Sequence, residues 1–245
     1  MTLRHGGGVT VKGGVNLRLF FDSERYSEDL DLDGTADRSP AIRSCLKGLF
    51  DDRTFSAQLR TFGLRGLDPG EGPNKDTHTT FRYKFGILAA GGVRYPTKVE
   101  VSFRGSHPAD LSTLEAPSTR LLSAYGVERF EARHYARDAA VRQKVSALGG
   151  RREAQARDVF DIHVLLPSGA NEPLLALLAK AVPRHRVKDA HARALTISYS
   201  EYRGQVLEFL GEDARSRLST ESVWDEVRLR VAAMLEGVLG RQGAG

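Results

Sequence analysis

The sequence holds a single cysteine, Cys45, which excludes an internal disulfide framework and fits a reducing compartment such as the cytoplasm. It has no apolar run near the ~20 residues that a membrane-spanning helix needs, so no membrane contact is expected. The opening MTLRHGGG lacks an apolar signal core, and no export is expected. Internal repeats are absent, as is low-complexity sequence beyond Gly6-Gly7-Gly8. None of the histidines stands at zinc-ligand spacing from the cysteine, which argues against a zinc site. There is no G-x-S-x-G nucleophile elbow. Lys12-Gly13-Gly14 is not a Walker loop, because the lysine precedes the glycines and no Ser or Thr follows. Asp29-Leu30-Asp31-Leu32-Asp33-Gly34 opens like an EF-hand loop, but Pro40 stands where the closing glutamate belongs.

What is present is basic. The 245 residues carry 36 Lys and Arg against 31 Asp and Glu, a net charge of +5, with a sequence pI of about 9.4. A chain of this length holds one large domain or two small ones. The charge suits a polyanionic partner such as RNA, with an ordinary basic protein as the alternative.

The most informative stretch is KGGVNLRLFFDSERYSEDLDLD, from Lys12 to Asp33. Val9 and Val11 read as a first strand over 9–12, and Gly13-Gly14 as the turn into a short helix over 14–21. Glycines at such a turn let a ligand approach the backbone, and the N–H groups at the helix start point at a phosphate. From Ser27 to Asp33 acid and leucine alternate, the pattern of a half-buried strand over 28–33. Leu30 and Leu32 then face the core, while Asp29, Asp31 and Asp33 share the other face. Like charges crowded on one face repel unless a cation sits among them. Hard oxygen ligands favour Mg2+ or Mn2+. A phosphate cradle joined by a short helix to metal-binding carboxylates points to phosphoryl or nucleotidyl transfer.

Further along, Ser39-Pro40 starts a helix through Phe50. Residues 54–67 (Phe55, Leu59, Phe62, Leu64, Leu67) suggest a strand, and 68–78 a polar loop. Two strands follow, TFRYKFGILAA and TKVEVSFRG, with Gly91, Gly92 and Pro96 in the hairpin between them. In the second, Val99, Val101 and Phe103 share one face and Lys98, Glu100 and Ser102 the other. Beyond Pro108 the chain reads as mainly helical and arginine-rich. Helices are expected at 136–148 and 152–166, hinged at Gly149-Gly150. Asp158 and Asp161 fall on one helix face, either as site residues or as an ion-pair network on a solvated face. An apolar helix from Leu174 to Val182 is capped by Asn171-Glu172-Pro173. Arg184, His185, Arg186, Lys188 and His191 form a basic patch, able to track an RNA backbone or to be a solvated loop. Helices near 200–210 and 220–239 close the chain, the last with Trp224, Val227, Val231, Met234, Leu235 and Val238 at core spacing. Strands first and helices after make an α+β protein.

KGGVNLRLFF…RYSEDLDLD resembles the first motif of the AbiEii family, the nucleotidyltransferase toxins of type IV abortive-infection toxin–antitoxin systems, which includes the MenT-like toxins. Lys144…Arg151/Arg152…Arg157-Asp158-x-x-Asp161 resembles that family's later motif. The resemblance implies a polymerase-β-like nucleotidyltransferase core with a mixed sheet, over 1–133, and a helical C-terminal region, over 134–245, that completes the active site and binds RNA. It implies metal-dependent nucleotide transfer from an NTP to an RNA acceptor, tRNA in particular, and a cognate antitoxin. Asp29 and Asp31 would hold the metal, with Glu100 as third acid, metal ligand or general base; a solvent-facing strand glutamate is the other reading of Glu100. Lys12, Gly13, Gly14, Ser27 and Arg157 would contact the nucleotide. Lys144 would neutralise phosphate charge, and Asp158 would be a catalytic acid. A monomer in the cytoplasm is expected. Alternatives from other classes are a nucleotidyltransferase acting on a small molecule or a protein, and a non-catalytic basic RNA-binding module.

Overall fold

The computed structural model describes residues 8–70, 72–104, 111–167 and 171–243. In chain order the first part runs β1 (Val9–Lys12), α1 (Gly13–Phe20), β2 (Asp29–Gly34), α2 (Ser39–Gly48), α3 (Arg53–Thr61), β3 (Leu64–Asp68), β4 (Pro73–Thr77), β5 (Thr80–Ala89), β6 (Arg94–Ser102), β7 (Ser112–Glu115), α4 (Thr119–Ala124) and β8 (Ala132–Tyr135). Helices follow: α5 (Arg137–Gly150), α6 (Ala156–Leu165), α7 (Glu172–Ala181), α8 (Arg184–Thr196), α9 (Tyr199–Gln205), α10 (Glu212–Leu218) and α11 (Glu221–Gly243). The chain divides into two compact units. One comprises Met1–Asn16 and Ser27–Tyr135, the other Leu17–Tyr26 and Ala136–Gly245.

The first unit is built on a mixed sheet of eight strands, in the order β3-β5-β6-β2-β1-β8-β7, with β4 also paired to β5. β2 runs parallel to β6 and antiparallel to β1, and β1 runs parallel to β8. The alternation in the sequence sets the two faces. Leu30 and Leu32 stand beside Val99 and Val101, and this apolar side continues through Phe81 and Tyr83 of β5. Phe50 stacks on Tyr83 with ring centroids 4.5 Å apart. Arg43 of α2 lies over the rings of Phe81 and Phe103, 5.2 Å from each centroid. Asp29, Asp31 and Asp33 stand beside Lys98, Glu100 and Ser102 on the other side.

The second unit has its core where α5, α6, α8 and α11 meet. Trp224 stacks on Tyr202 at 4.5 Å, and each polar atom has a partner. The Trp224 indole N–H donates to the carbonyl of Ile197 (3.1 Å) and the Tyr202 hydroxyl to that of Leu218 (3.1 Å). Burial of such amphipathic rings requires this pairing. Asn171 caps α7 as expected, accepting from the Leu174 N–H.

Several expectations need correction. Residues 53–61 are helical, not extended: Asp52 caps α3 by accepting from the Thr54 and Phe55 N–H groups. Phe55, Leu59 and Phe62 are in fact spaced at helical i, i+4, i+7 intervals. Only Leu64–Asp68 of the expected strand is extended. The polar loop contains a strand, β4, paired with β5. Pro96 lies within β6, and the hairpin turns at Gly92, whose φ of +81° a glycine adopts without strain. Two strands, β7 and β8, follow Pro108. The second arginine-rich helix starts at Ala156, not 152, and α10 was not foreseen.

The expected hinge is also absent. α5 runs through Gly149 and Gly150, and a Cβ on Gly149 would stand 2.1 Å from the carbonyl oxygen of Arg186. Gly149 lets α8 press its backbone against α5. The basic patch forms the start of α8, a helix rather than a loop. Among the described residues no helix is long and apolar enough to cross a membrane.

Candidate active site

The turn from β1 into α1 places Gly13 directly beside Asp31 of β2. Gly13 has a φ of +68°, and a Cβ there would stand 2.9 Å from the Asp31 Oδ2. Only glycine fits both the conformation and the space. Lys12, the preceding residue, is the cross-strand partner of Asp31, yet its ammonium pairs with Asp33 at 2.5 Å.

The neighbouring carboxylates are engaged by cations from adjacent strands. Lys98 of β6 holds Asp29 at 2.7 Å, and Arg82 of β5 holds Glu100 at 2.5 Å. Tyr135 of β8 donates to the second oxygen of Asp33 at 2.7 Å. The Ser27 hydroxyl donates to the carbonyl of Asp29 at 3.1 Å, bracing the entry to β2. Asp31 differs, for its carboxylate makes no ion pair or side-chain hydrogen bond with any described residue. Burial pushes its pKa up; Lys12 and Lys98 pull against this, and Asp29 and Glu100 add to it.

This face suits a divalent cation in donor chemistry. A half-buried, unpaired carboxylate with two more acids nearby is stabilised by positive charge. Among the described residues no three His, Cys, Asp or Glu side chains are gathered so as to hold an ion. Two carboxylates nevertheless suffice for Mg2+, which keeps several waters and takes further oxygens from substrate phosphates. Asp29 and Asp31 supply that number. Lys12, Gly13, Asp29, Asp31 and Glu100 thus come together on one surface of the sheet unit, with Gly14 in the first turn of α1.

The later motif forms a cluster within the helical unit. Lys144 of α5 reaches two aspartates of α6, Asp158 at 3.2 Å and Asp161 at 2.6 Å. Arg151 holds the other Asp158 oxygen at 2.7 Å. Arg25, from the 17–26 segment, grips Asp161 with Nε and Nη2 at 3.0–3.1 Å. Both aspartates are wholly buried, so this is not a solvated face. Burial alone would lower the Lys144 pKa, but Asp161 and Asp158 outweigh it and the net direction is up. For Asp161, burial opposes charge and is outweighed by Lys144 and Arg25, so its pKa falls. Arg157 is half-exposed and makes no hydrogen bond or ion pair with a described residue.

Lys98, Arg82, Tyr135 and Arg25 were not foreseen. The alternation around Glu100 put Lys98 on the correct face but gave no register. Arg25 lies 136 residues from its partner, and sequence spacing carries no signal at that distance. In the basic patch, Arg186 donates to the Gly149 carbonyl at 3.3 Å and Arg184 to that of Leu239 at 2.9 Å. These bonds tie the two arginines to α5 and α11, while Arg184, His185 and Lys188 stay exposed.

The family model described as nucleotidyl transferase AbiEii toxin, type IV toxin–antitoxin system, matches residues 4–242. The chain belongs to the AbiEii family. It is a nucleotidyltransferase toxin of the type IV class, and that class implies a cognate antitoxin. The fold agrees with solved structures of low identity. MenT4, a nucleotidyltransferase toxin from Mycobacterium tuberculosis, is 17% identical with a TM-score of 0.54, over 97% of this chain and 85% of that one. A candidate nucleotidyltransferase from H. pylori is 16% identical with a TM-score of 0.51, over 97% of this chain and 89% of its own. No curated protein matches the chain. The α+β architecture, a mixed sheet with many helices, is that of these nucleotidyltransferases.

Proposed function

We propose that this AbiEii protein transfers a nucleotide from an NTP to an RNA acceptor, tRNA in particular, using Mg2+ or Mn2+ held by Asp29 and Asp31. The observation that carries the reading is the Asp31 carboxylate, half-buried, unpaired and set against Gly13. An acid left in that state lowers stability, and a reaction requiring a cation there accounts for it.

In this reading a hydroxyl of the acceptor attacks the α-phosphorus of the NTP. One O–P bond forms, the bond to the β-phosphate oxygen breaks and pyrophosphate leaves. The bound ion supplies Lewis acidity at the phosphate oxygens. Lys12 and the backbone of Gly13 and Gly14 bind phosphate, Ser27 braces the strand that carries Asp29, and Arg157 adds positive charge. Glu100 is the third acid, either a metal ligand or the base that takes the hydroxyl proton. Lys144 offers phosphate the ammonium proton not engaged by Asp158 and Asp161, and Asp158 fixes its position as well as serving as an acid. The helical unit binds the RNA, a role supported by the net charge of +5. The reaction takes place in the cytoplasm.

The test is incubation with Mg2+, total tRNA and each labelled NTP in turn, with Asp29→Ala as control. Label entering tRNA from one NTP, and lost in the variant, supports the reading and identifies the donor. Label on a protein or small molecule instead would retain the catalyst and overturn the acceptor. RNA binding and growth inhibition untouched by Asp29→Ala would leave a non-catalytic binding module.

A further inference from the structure

Asp33 shares a strand face with Asp29 and Asp31 and repeats their spacing, yet its surroundings set it apart. Its Oδ1 takes the Lys12 ammonium at 2.5 Å and its Oδ2 takes the Tyr135 hydroxyl at 2.7 Å. Both oxygens are therefore engaged by the protein itself. Lys12 is paired in register with Asp31, not Asp33. A lysine opposite a carboxylate ordinarily settles on it, but here the ammonium is drawn two residues along β2.

We propose that Asp33 and Tyr135 are positioning residues that hold Lys12 away from Asp31, so that Asp31 stays available to a divalent cation. The inference rests on the metal-binding reading of Asp31 given above. Without Asp33, the nearest acid for Lys12 is the unpaired Asp31, and an ammonium there competes with the ion for the same oxygens. With Asp33, Lys12 keeps a side chain 26% exposed and has ammonium protons to spare for a phosphate.

Tyr135 is fixed for this task. It is 4% exposed, and its backbone carbonyl accepts from the Asn16 side chain at 3.1 Å. Its hydroxyl donates to Asp33, which holds the carboxylate in the rotamer that meets Lys12. Phenylalanine would keep the ring and lose this constraint.

The experiment measures Mn2+ affinity by the electron paramagnetic resonance signal of the free ion, on the full chain, without nucleotide and with a non-hydrolysable NTP. Asp33→Asn keeps the shape of the side chain but removes the charge that holds Lys12. It is expected to weaken Mn2+ binding about tenfold, and adding Lys12→Met is expected to restore it. A merely structural role for Asp33 predicts no such rescue. Tyr135→Phe is expected to weaken binding about threefold, again only while Lys12 is present, and it serves if Asp33→Asn does not fold.

Asp31→Asn separates the two readings. Loss of Mn2+ binding in Asp31→Asn, with wild-type affinity in Asp33→Asn and Tyr135→Phe, overturns the positioning role alone. Weakened binding in Asp33→Asn that Lys12→Met does not restore also overturns it. Wild-type protein that binds no Mn2+, or Asp31→Asn that binds it normally, overturns the metal reading and this inference with it.

Discussion

Gly13 and Asp31 are fitted to each other: a Cβ on the glycine would stand 2.9 Å from the Asp31 Oδ2. This contact joins the glycine turn to the acidic strand, so the two halves of the first motif act as one feature. Gly13→Ala would pay twice, in backbone and in space. The left-handed conformation costs an ordinary residue roughly 1–2 kcal/mol, and the new methyl group must displace the carboxylate. The expected outcome is a fall in Tm of a few degrees and a loss of nucleotide transfer of about 100-fold, the scale of a displaced catalytic group. Thermal melts and a transfer assay on the same preparation check both.

Asp31 itself should trade stability for activity. Its folded pKa is raised above the ordinary value of 3.8, chiefly by burial. The folded state therefore holds its proton more tightly than the unfolded chain does. Stability falls as pH rises through the interval from 3.8 to the raised value, and the full penalty remains at neutral pH. An amide carries no such penalty. Asp31→Asn is thus expected to be more stable than wild type in urea at pH 7.5, with the advantage shrinking as pH is lowered toward 4, and to have no transfer activity. Mg2+ should raise the wild-type Tm and leave the variant's unchanged.

The sequence carried the polar face of the sheet well, because alternation is a local property. Asp29 to Asp33, and Lys98 with Glu100, lie on the sides that their order required. It did not carry what those side chains touch. Lys98 on Asp29 and Arg82 on Glu100 depend on strand register, which is decided by packing across the whole sheet. The error at residues 53–61 has a different cause. Phe55, Leu59 and Phe62 admit a helical period as well as a strand's, and the Asp52 cap, which accepts from the Thr54 and Phe55 N–H groups, decides for the helix. Gly149-Gly150 shows a third kind of limit. Paired glycines signal either a bend or a close approach, and only the neighbour, α8, distinguishes the two.

The Arg25–Asp161 pair predicts an asymmetric response to mutation. Asp161 is wholly buried and Arg25 nearly so, and the guanidinium binds both carboxylate oxygens. Removing Arg25 leaves Asp161 with Lys144 alone, and breaking a buried pair typically costs about 3–5 kcal/mol. Replacing both members by apolar side chains of similar volume avoids the uncompensated charge. Arg25→Met should therefore be destabilised by about 3 kcal/mol in urea titrations, on the scale of such pairs. Arg25→Met with Asp161→Leu should recover at least half of that loss.

The two glycines at the end of α5 make the last prediction, because they are adjacent and should behave differently. A Cβ on Gly149 would meet the backbone carbonyl of Arg186 at 2.1 Å, and a backbone cannot step aside without moving α8. A Cβ on Gly150 would meet the Arg186 Nη1, also at 2.1 Å, but that atom is the far end of a flexible side chain. That guanidinium gives up one hydrogen bond, to the Gly149 carbonyl, when it swings away. Alanine also gains helix propensity over glycine, by roughly 1 kcal/mol, which offsets a lost hydrogen bond of about the same size. Gly150→Ala is expected to change stability by less than about 1 kcal/mol on this balance. Gly149→Ala forces two helices apart and is expected to cost about 3 kcal/mol, the upper range for overpacked cores. Urea denaturation followed by the fluorescence of Trp224, which lies in the core of the same unit, measures both. Equal costs at the two positions would mean that α5 and α8 do not meet through Gly149.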